Sequence, residues 1–243
     1  MKFATLLFIT IVSISSFGFA QSVTIGTQTW MILNLDVATF RNGDAIPEAK
    51  TDEEWKAAGK NKKAAWCYYE NDTLNGTKYG KLYNWYAVND VRGLAPAGWH
   101  VPTHEEWTVF STFLGGGKVV GEKIKSSFGW DSIAIDITCA NCESWNTEYR
   151  EKVPCHTCKD TRINGKKTYS GNGSNSSGFC GLPGGYRGSI GYFVSAGWKG
   201  NWWSASESSV SDALYKHLDS RISATTNEDI DKSFGFSVRC VKD

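Results

Sequence analysis

Four of the seven cysteines stand as Cys139-Ala140-Asn141-Cys142 and Cys155-His156-Thr157-Cys158, two Cys-x-x-Cys turns twelve residues apart. Folded together, such turns bring four sulfurs to one point, the donor set of a closed, tetrahedral structural zinc site with no position left for water. The same four residues also make two disulfides, worth about 3 kcal/mol for a loop of roughly 15 residues through restriction of the unfolded chain. Either device orders a segment too polar to fold by burial, since Glu143 to Lys152 holds few apolar residues. The choice depends on compartment, because oxidation competes with metal loading outside the cytoplasm. His156 could replace one sulfur, but in a polar turn it reads more simply as a solvated residue.

A second chemistry is suggested by Tyr186, Tyr192, Phe193, Trp198, Trp202 and Trp203, crowded into a glycine-rich stretch. Flat rings on exposed loops stack against sugar faces, whereas rings on a strand fill cores. Trp202 and Trp203 are adjacent, so on a strand they point to opposite faces and at least one enters the core. Tyr186, Tyr192 and Trp198 are the better candidates for ligand contact, with Trp202 beside them. The carboxylates Asp219, Glu228, Asp229 and Asp231 are oxygen donors suited to calcium, but carboxylates at this spacing are more often a solvated loop. His100, His104 and His217 have no fixed spacing to a nucleophilic serine or a carboxylate pair, so the sequence offers no catalytic constellation and calls for no organic cofactor.

The elements that carry these residues begin after an export signal. Met1-Lys2 is a short positive start, Phe3 to Phe17 an apolar run, and Gly18-Phe19-Ala20 a small-x-small cleavage site, the pattern of a secretory signal peptide over 1–20. The run is shorter than a bilayer span, and no later one is longer. A secreted or otherwise extracytoplasmic protein, periplasmic or on the cell surface, with no integral membrane segment after cleavage, is therefore expected. Loss of Lys2 leaves basic and acidic residues equal in number, which argues against a nucleic-acid partner.

Val23 to Leu35 alternates and is broken at Gly26, predicting a hairpin. Thr51-Asp52-Glu53-Glu54 and Thr103-His104-Glu105-Glu106 are capping-box signatures. They predict a helix over about 51–58, ended by Gly59, and another carrying Trp107, Phe110 and Leu114 up to Gly115. Leu82, Trp85, Tyr86 and Asn89 at helical spacing predict a third, buried helix. Beyond 129 the pattern turns to short strands among Gly/Ser-rich loops, closing on a half-buried strand from Phe234 to Cys240. The sum is an α+β domain over 21–243, with two to three helices and a loop-rich antiparallel sheet.

Several strings in this order resemble the Fibrobacter succinogenes major paralogous domain, a family of exported bacterial domains. They are Trp30-Met31-Ile32-Leu33-Asn34-Leu35 with Phe40 to Gly43, Tyr79 to Val88, Gly98 to Thr103 with Glu106-Trp107, Gly181 to Arg187, Trp202 to Ser206, and Gly235 to Asp243. The resemblance spans nearly the whole exported chain and implies a C-type-lectin-like fold whose first and last strands lie close. It also implies a bridge between Cys67 and Cys240, leaving Cys180 as a small buried thiol. The segment from about 138 to 161, with both Cys-x-x-Cys turns, departs from the family as an insertion. Parts of the chain are similar to formylglycine-generating enzymes as well, but those need a cysteine pair for copper, and Gly181 to Ser206 contains only serine, glycine, aromatic and other non-cysteine residues. The expectation is an exported, non-catalytic binding or adhesion module, for polysaccharide or another cell-surface component. A structural cell-envelope protein–protein module is the alternative, and a formylglycine-generating-type oxidase the least favoured.

Overall fold

A computed structural model describes residues 21–137 and 165–243. The expected signal segment and the insertion with Cys139, Cys142, Cys155, Cys158 and His156 lie outside the described residues. Along the chain the elements are β1 (Ser22–Ile25), β2 (Gln28–Met31), α1 (Asp52–Lys60), β3 (Trp66–Cys67), α2 (Thr73–Tyr79), β4 (Leu82–Tyr83) and α3 (Trp85–Val88). There follow β5 (Trp99–His100), α4 (His104–Phe113), α5 (Val120–Ile124), β6 (Ile133–Ile137), β7 (Gly165–Tyr169), β8 (Gly184–Arg187) and β9 (Phe193–Ala196). β10 (Lys199–Glu207), β11 (Asp212–Asp219), β12 (Thr225–Asp231) and β13 (Val241–Lys242) complete the order. Short helices beside several mostly antiparallel sheets make this an α+β protein.

Two sheets carry the architecture. One runs β1-β2-β13-β5 and the other β12-β11-β10-β8-β9. β13 pairs antiparallel with β2 at Val241↔Trp30, so the last strand shares a sheet with the first and is separated from it by β2 alone. Between the sheets, Phe234 to Cys240 does not form the half-buried strand its alternation suggested. It threads the core through single bridges, Gly235 to Arg187, Phe236 to Tyr83 and Ser237 to Trp202, and everything from Phe236 to Val241 is buried. Alternation here separates two buried sides rather than core from water.

The hairpin at β1–β2 and the helices α1 and α4 form where the sequence places them. Each helix begins with the reciprocal cap: Thr51 with Glu54, and Thr103 with Glu106. Gly59 does not stop α1. The helix ends one residue later, and Gly59 lies inside it because a Cβ there would come within 2.6 Å of Ser233 Cβ. The helix expected from Leu82 to Asn89 is instead the two-residue strand β4 and the single turn α3. Leu82 and Tyr83 pair with Cys67 and Trp66, and the Asn84 side chain caps the turn by accepting from Ala87 N. Those long-range pairings outweigh the helical spacing of the side chains.

β10 lies in the middle of its sheet with both faces covered. On one face Trp202 joins Trp30, Trp107, Phe110, Phe179 and Leu218. On the other Trp203 joins Tyr83, Trp85, Tyr215, Phe236 and Val238. The ribbon β6–β7, in register from Ile133↔Tyr169 to Ile137↔Gly165, brackets the cysteine-containing segment. Among the described residues no helix is long and apolar enough to cross a membrane.

Candidate functional site

Cross-strand register sets which residues share a face of the second sheet. Gly185 of β8 lies beside Gly200 of β10, and Asn201 opposes His217, which opposes Thr226. The next residue along, Tyr186, therefore heads a row Tyr186–Asn201–His217–Thr226 on the same face as Trp203 and Tyr215. On that face the apolar cluster around Phe236 fills one end, and where it stops the surface turns polar. On its other side β9 runs close against β8 because Gly185 has φ +65° and no side chain: a Cβ there would meet Ala196 N and Val194 O at 2.6 Å.

The floor of the row is buried and connected. Asn201 is 3% and His217 8% exposed. The Asn201 amide nitrogen donates to Gly185 O at 3.4 Å, and its oxygen lies 2.8 Å from His217 Nδ1. Burial pushes His217 below the ordinary histidine value, with Glu228, Lys199, Asp219 and Arg221 as the charges around it. Beside it, Tyr215 donates to Glu228 Oε2 at 2.6 Å and Thr226 to Oε1 at 2.7 Å. Burial raises the Tyr215 hydroxyl, and the Glu228 hydrogen bond raises it further. Partial desolvation raises Glu228, but the hydrogen bonds from Thr226 and Tyr215 outweigh it and hold the carboxyl below its usual range.

Of the aromatic residues singled out in the sequence, Tyr186 is half-buried against Phe234 and Phe236, at 6.1 and 5.9 Å between ring centroids. Tyr192 is exposed, its ring lying over Gly188, where any Cβ would collide with it at 2.3 Å. It is close enough to Tyr186 to add to burial in raising that hydroxyl. Trp198 is exposed too, but at the opposite end of β9, with its carbonyl accepting from Ser220 N. Trp202 is no contact residue. It is 1% exposed, donates from Nε1 to Asn34 Oδ1 at 2.8 Å, and packs on Phe179. A strand covered on both faces buries both members of the Trp202–Trp203 pair.

The expected Cys67–Cys240 bridge is not formed. Both are free thiols, Cys67 packed among Ala49, Trp55 and Leu82 and Cys240 in the cluster around Phe236. β3 pairs with β4, whereas Cys240 leads into β13 of the first sheet, so the two strands lie in separate layers. Cys180 is a half-buried free thiol in a left-handed backbone conformation, φ +54°. The four carboxylates weighed for calcium do not converge either. Asp219 pairs with Arg221 at 2.8 Å, Glu228 is engaged as above, and Asp231 accepts from Ser233 N at 2.8 Å. Among the described residues no three His, Cys, Asp or Glu side chains are arranged to hold a metal ion.

Sequence reasoning missed Asn201 and Tyr215 altogether and set His217 aside. Their only signal was polarity at alternate positions of two strands otherwise rich in buried residues, and it becomes legible once the strands are paired. His100, also set aside, bridges two carboxylates, Asp243 at 2.7 Å through Nδ1 and Glu106 at 2.8 Å through Nε2. His104 opens α4, its backbone N–H donating to Ser206 Oγ.

Comparison with curated proteins and with solved structures returns no match. The Fibrobacter succinogenes major domain family matches residues 23–242, from the first strand of the hairpin to the last strand of the core, and the chain belongs to that family.

Proposed function

We propose that the protein is an exported, non-catalytic binding or adhesion module for polysaccharide or a cell-surface glycan, built on a C-type-lectin-like architecture. The placing of the opening hairpin and the last strand in one sheet, β13 beside β2, supports the architecture. One observation carries the function: exposed Tyr192 beside half-buried Tyr186, on a sheet face whose floor ends in the hydrogen-bonding groups of Asn201 and His217. Rings that offer a flat apolar wall next to fixed polar groups are what a sugar, apolar on one face and hydroxylated at its edge, requires. The test is affinity electrophoresis of the exported protein in gels containing soluble polysaccharides, with Tyr192→Ala and Trp198→Ala variants. Loss of retardation in Tyr192→Ala with the fold intact supports the reading; equal retardation of wild type and both variants removes the aromatic argument.

For the insertion we propose a structural zinc held by Cys139, Cys142, Cys155 and Cys158, with two disulfides as the alternative. The donor set supports zinc, and export supports oxidation. Native intact mass with and without thiol alkylation separates them: one bound zinc and four thiols released by chelation, or a metal-free mass short of four hydrogen atoms.

A further inference from the structure

We propose that the row Tyr186–Asn201–His217 is a site for an uncharged, hydroxyl-bearing ligand, in which His217 Nε2 is the acceptor that selects a hydroxyl donor. This rests on the glycan-binding reading and names the contact within it. The Asn201 amide turns its nitrogen toward Gly185 O, so its oxygen faces His217 Nδ1. Two acceptors cannot share a hydrogen bond, so Nδ1 carries the proton. In the neutral ring the lone pair is then on Nε2. That atom has no hydrogen-bond partner among the described residues and is not sealed among the buried unpaired atoms, although the residue is 8% exposed.

A nearly buried imidazole with one nitrogen fixed internally and the other lone pair unmet is a preorganised acceptor. Ligand charge finds no net counterpart here. The groups facing the ring are Lys199 from β10, Asp219 and Tyr215 from β11, Glu228 from β12 and Arg221 from the turn after β11, with Tyr186 on β8. The two cations balance the two carboxylates, Arg221 is paired with Asp219, and Glu228 is occupied by Tyr215 and Thr226. A hydroxyl donor at Nε2 with its carbon skeleton toward Tyr186 meets the chemistry present. Imidazolium has no lone pair to offer, so acid abolishes the contact.

The experiment follows the His217 ring nitrogens by 15N NMR in the full exported chain, using a neutral methyl glucoside as probe. In the free protein a neutral ring with the proton on Nδ1 is expected at neutral pH. Added probe moves the Nε2 resonance and the amides of Tyr186, Asn201 and His217, and its affinity falls as the pH is lowered through the His217 titration. His217→Asn keeps a donor toward Asn201 and lacks Nε2, and should weaken the probe about tenfold. Undiminished binding by a folded His217→Asn, or an affinity in the wild type that ignores the His217 titration, overturns the proposal. Shifts confined to Tyr192 and Trp198 overturn it while leaving the glycan reading standing. A probe that moves no resonance anywhere removes both. The wild-type pH series decides the matter without a variant, should His217→Asn not fold.

Discussion

Two arginines show what single residues of the family strings do. Arg239 is fully buried, and among the described residues no carboxylate pairs with it. Its guanidinium donates to Met31 O, Phe179 O and Asn34 Oδ1, and lies over the Phe179 ring at 4.4 Å. It thereby ties the closing segment to the hairpin that opens the chain. Arg187 does the same for α1, donating to Ala49 O and Thr51 O between the rings of Trp55 and Phe193. Replacing Arg239 by Met keeps much of the volume but leaves buried carbonyls without donors, and should cost about 3 kcal/mol, measured by urea unfolding. An equal midpoint and slope for both proteins would show that water replaces the guanidinium. The thiols give a second residue-level expectation. Burial pushes Cys67 and Cys240 up to about 12, so alkylation of the native protein should modify Cys180 and spare both, with all three reacting in denaturant. Protection of Cys67 and Cys240 that persists in denaturant until a reductant is added would mean a bridge after all. Neither arginine's role was legible in the sequence, because a buried charge satisfied by backbone carbonyls depends on segments far apart in the chain, 138 residues for Arg187 and Ala49 and 208 for Arg239 and Met31.

At the scale of elements, what was legible was what is local. A capping box is written in four consecutive residues, and both α1 and α4 begin where Thr51 and Thr103 predicted. Thr103→Ala removes the acceptor for Glu106 N, 3.2 Å from Thr103 Oγ1, and should cost about 1 kcal/mol. For a chain of this size that lowers the melting temperature by about 2–4 °C; an unchanged melting curve would mean that the packing of Trp107 and Phe110 alone holds the helix. By contrast, Leu82 to Asn89 has helical spacing, yet its backbone is claimed by Trp66, Cys67 and Phe236 from elsewhere in the chain. The aromatic cluster divided for the same reason. Tyr192 and Trp198 were correctly set apart from core duty as loop residues. Trp202 was misread because nothing within its own strand reveals that a helix and a hairpin cover the second face. The polar row could not be read before Asn201, His217 and Thr226 were placed in register.

Two histidines make the stability of the whole molecule depend on pH in opposite directions, each from an ordinary value of 6.5. Burial lowers His217, and the folded protein resists its protonation. Below 6.5 the unfolded chain takes up a proton that the native state refuses, so stability falls as acid is added, until the folded value is passed. For His100, burial pulls downward, but the hydrogen bonds to Asp243 and Glu106 outweigh it and the net shift is upward. Its contribution is complete below 6.5 and is lost as pH rises through the higher folded value. This histidine joins β5 to the cap of α4 and to the residue following β13, so its proton fastens the first sheet to the helix that covers it. From the histidines, then, stability should be greatest near pH 6.5 and decline on both sides, with Asp219 and Glu228, both held below their usual range, steepening the loss at still lower pH. Urea unfolding between about pH 5 and 8 measures this directly, over the range where histidine charge changes. His100→Gln should flatten the alkaline limb alone, and His217→Asn the acid limb alone. Were His100→Gln to lower stability equally at all pH values, the Asp243–His100–Glu106 bridge would contribute through neutral hydrogen bonds and not through a proton gained on folding.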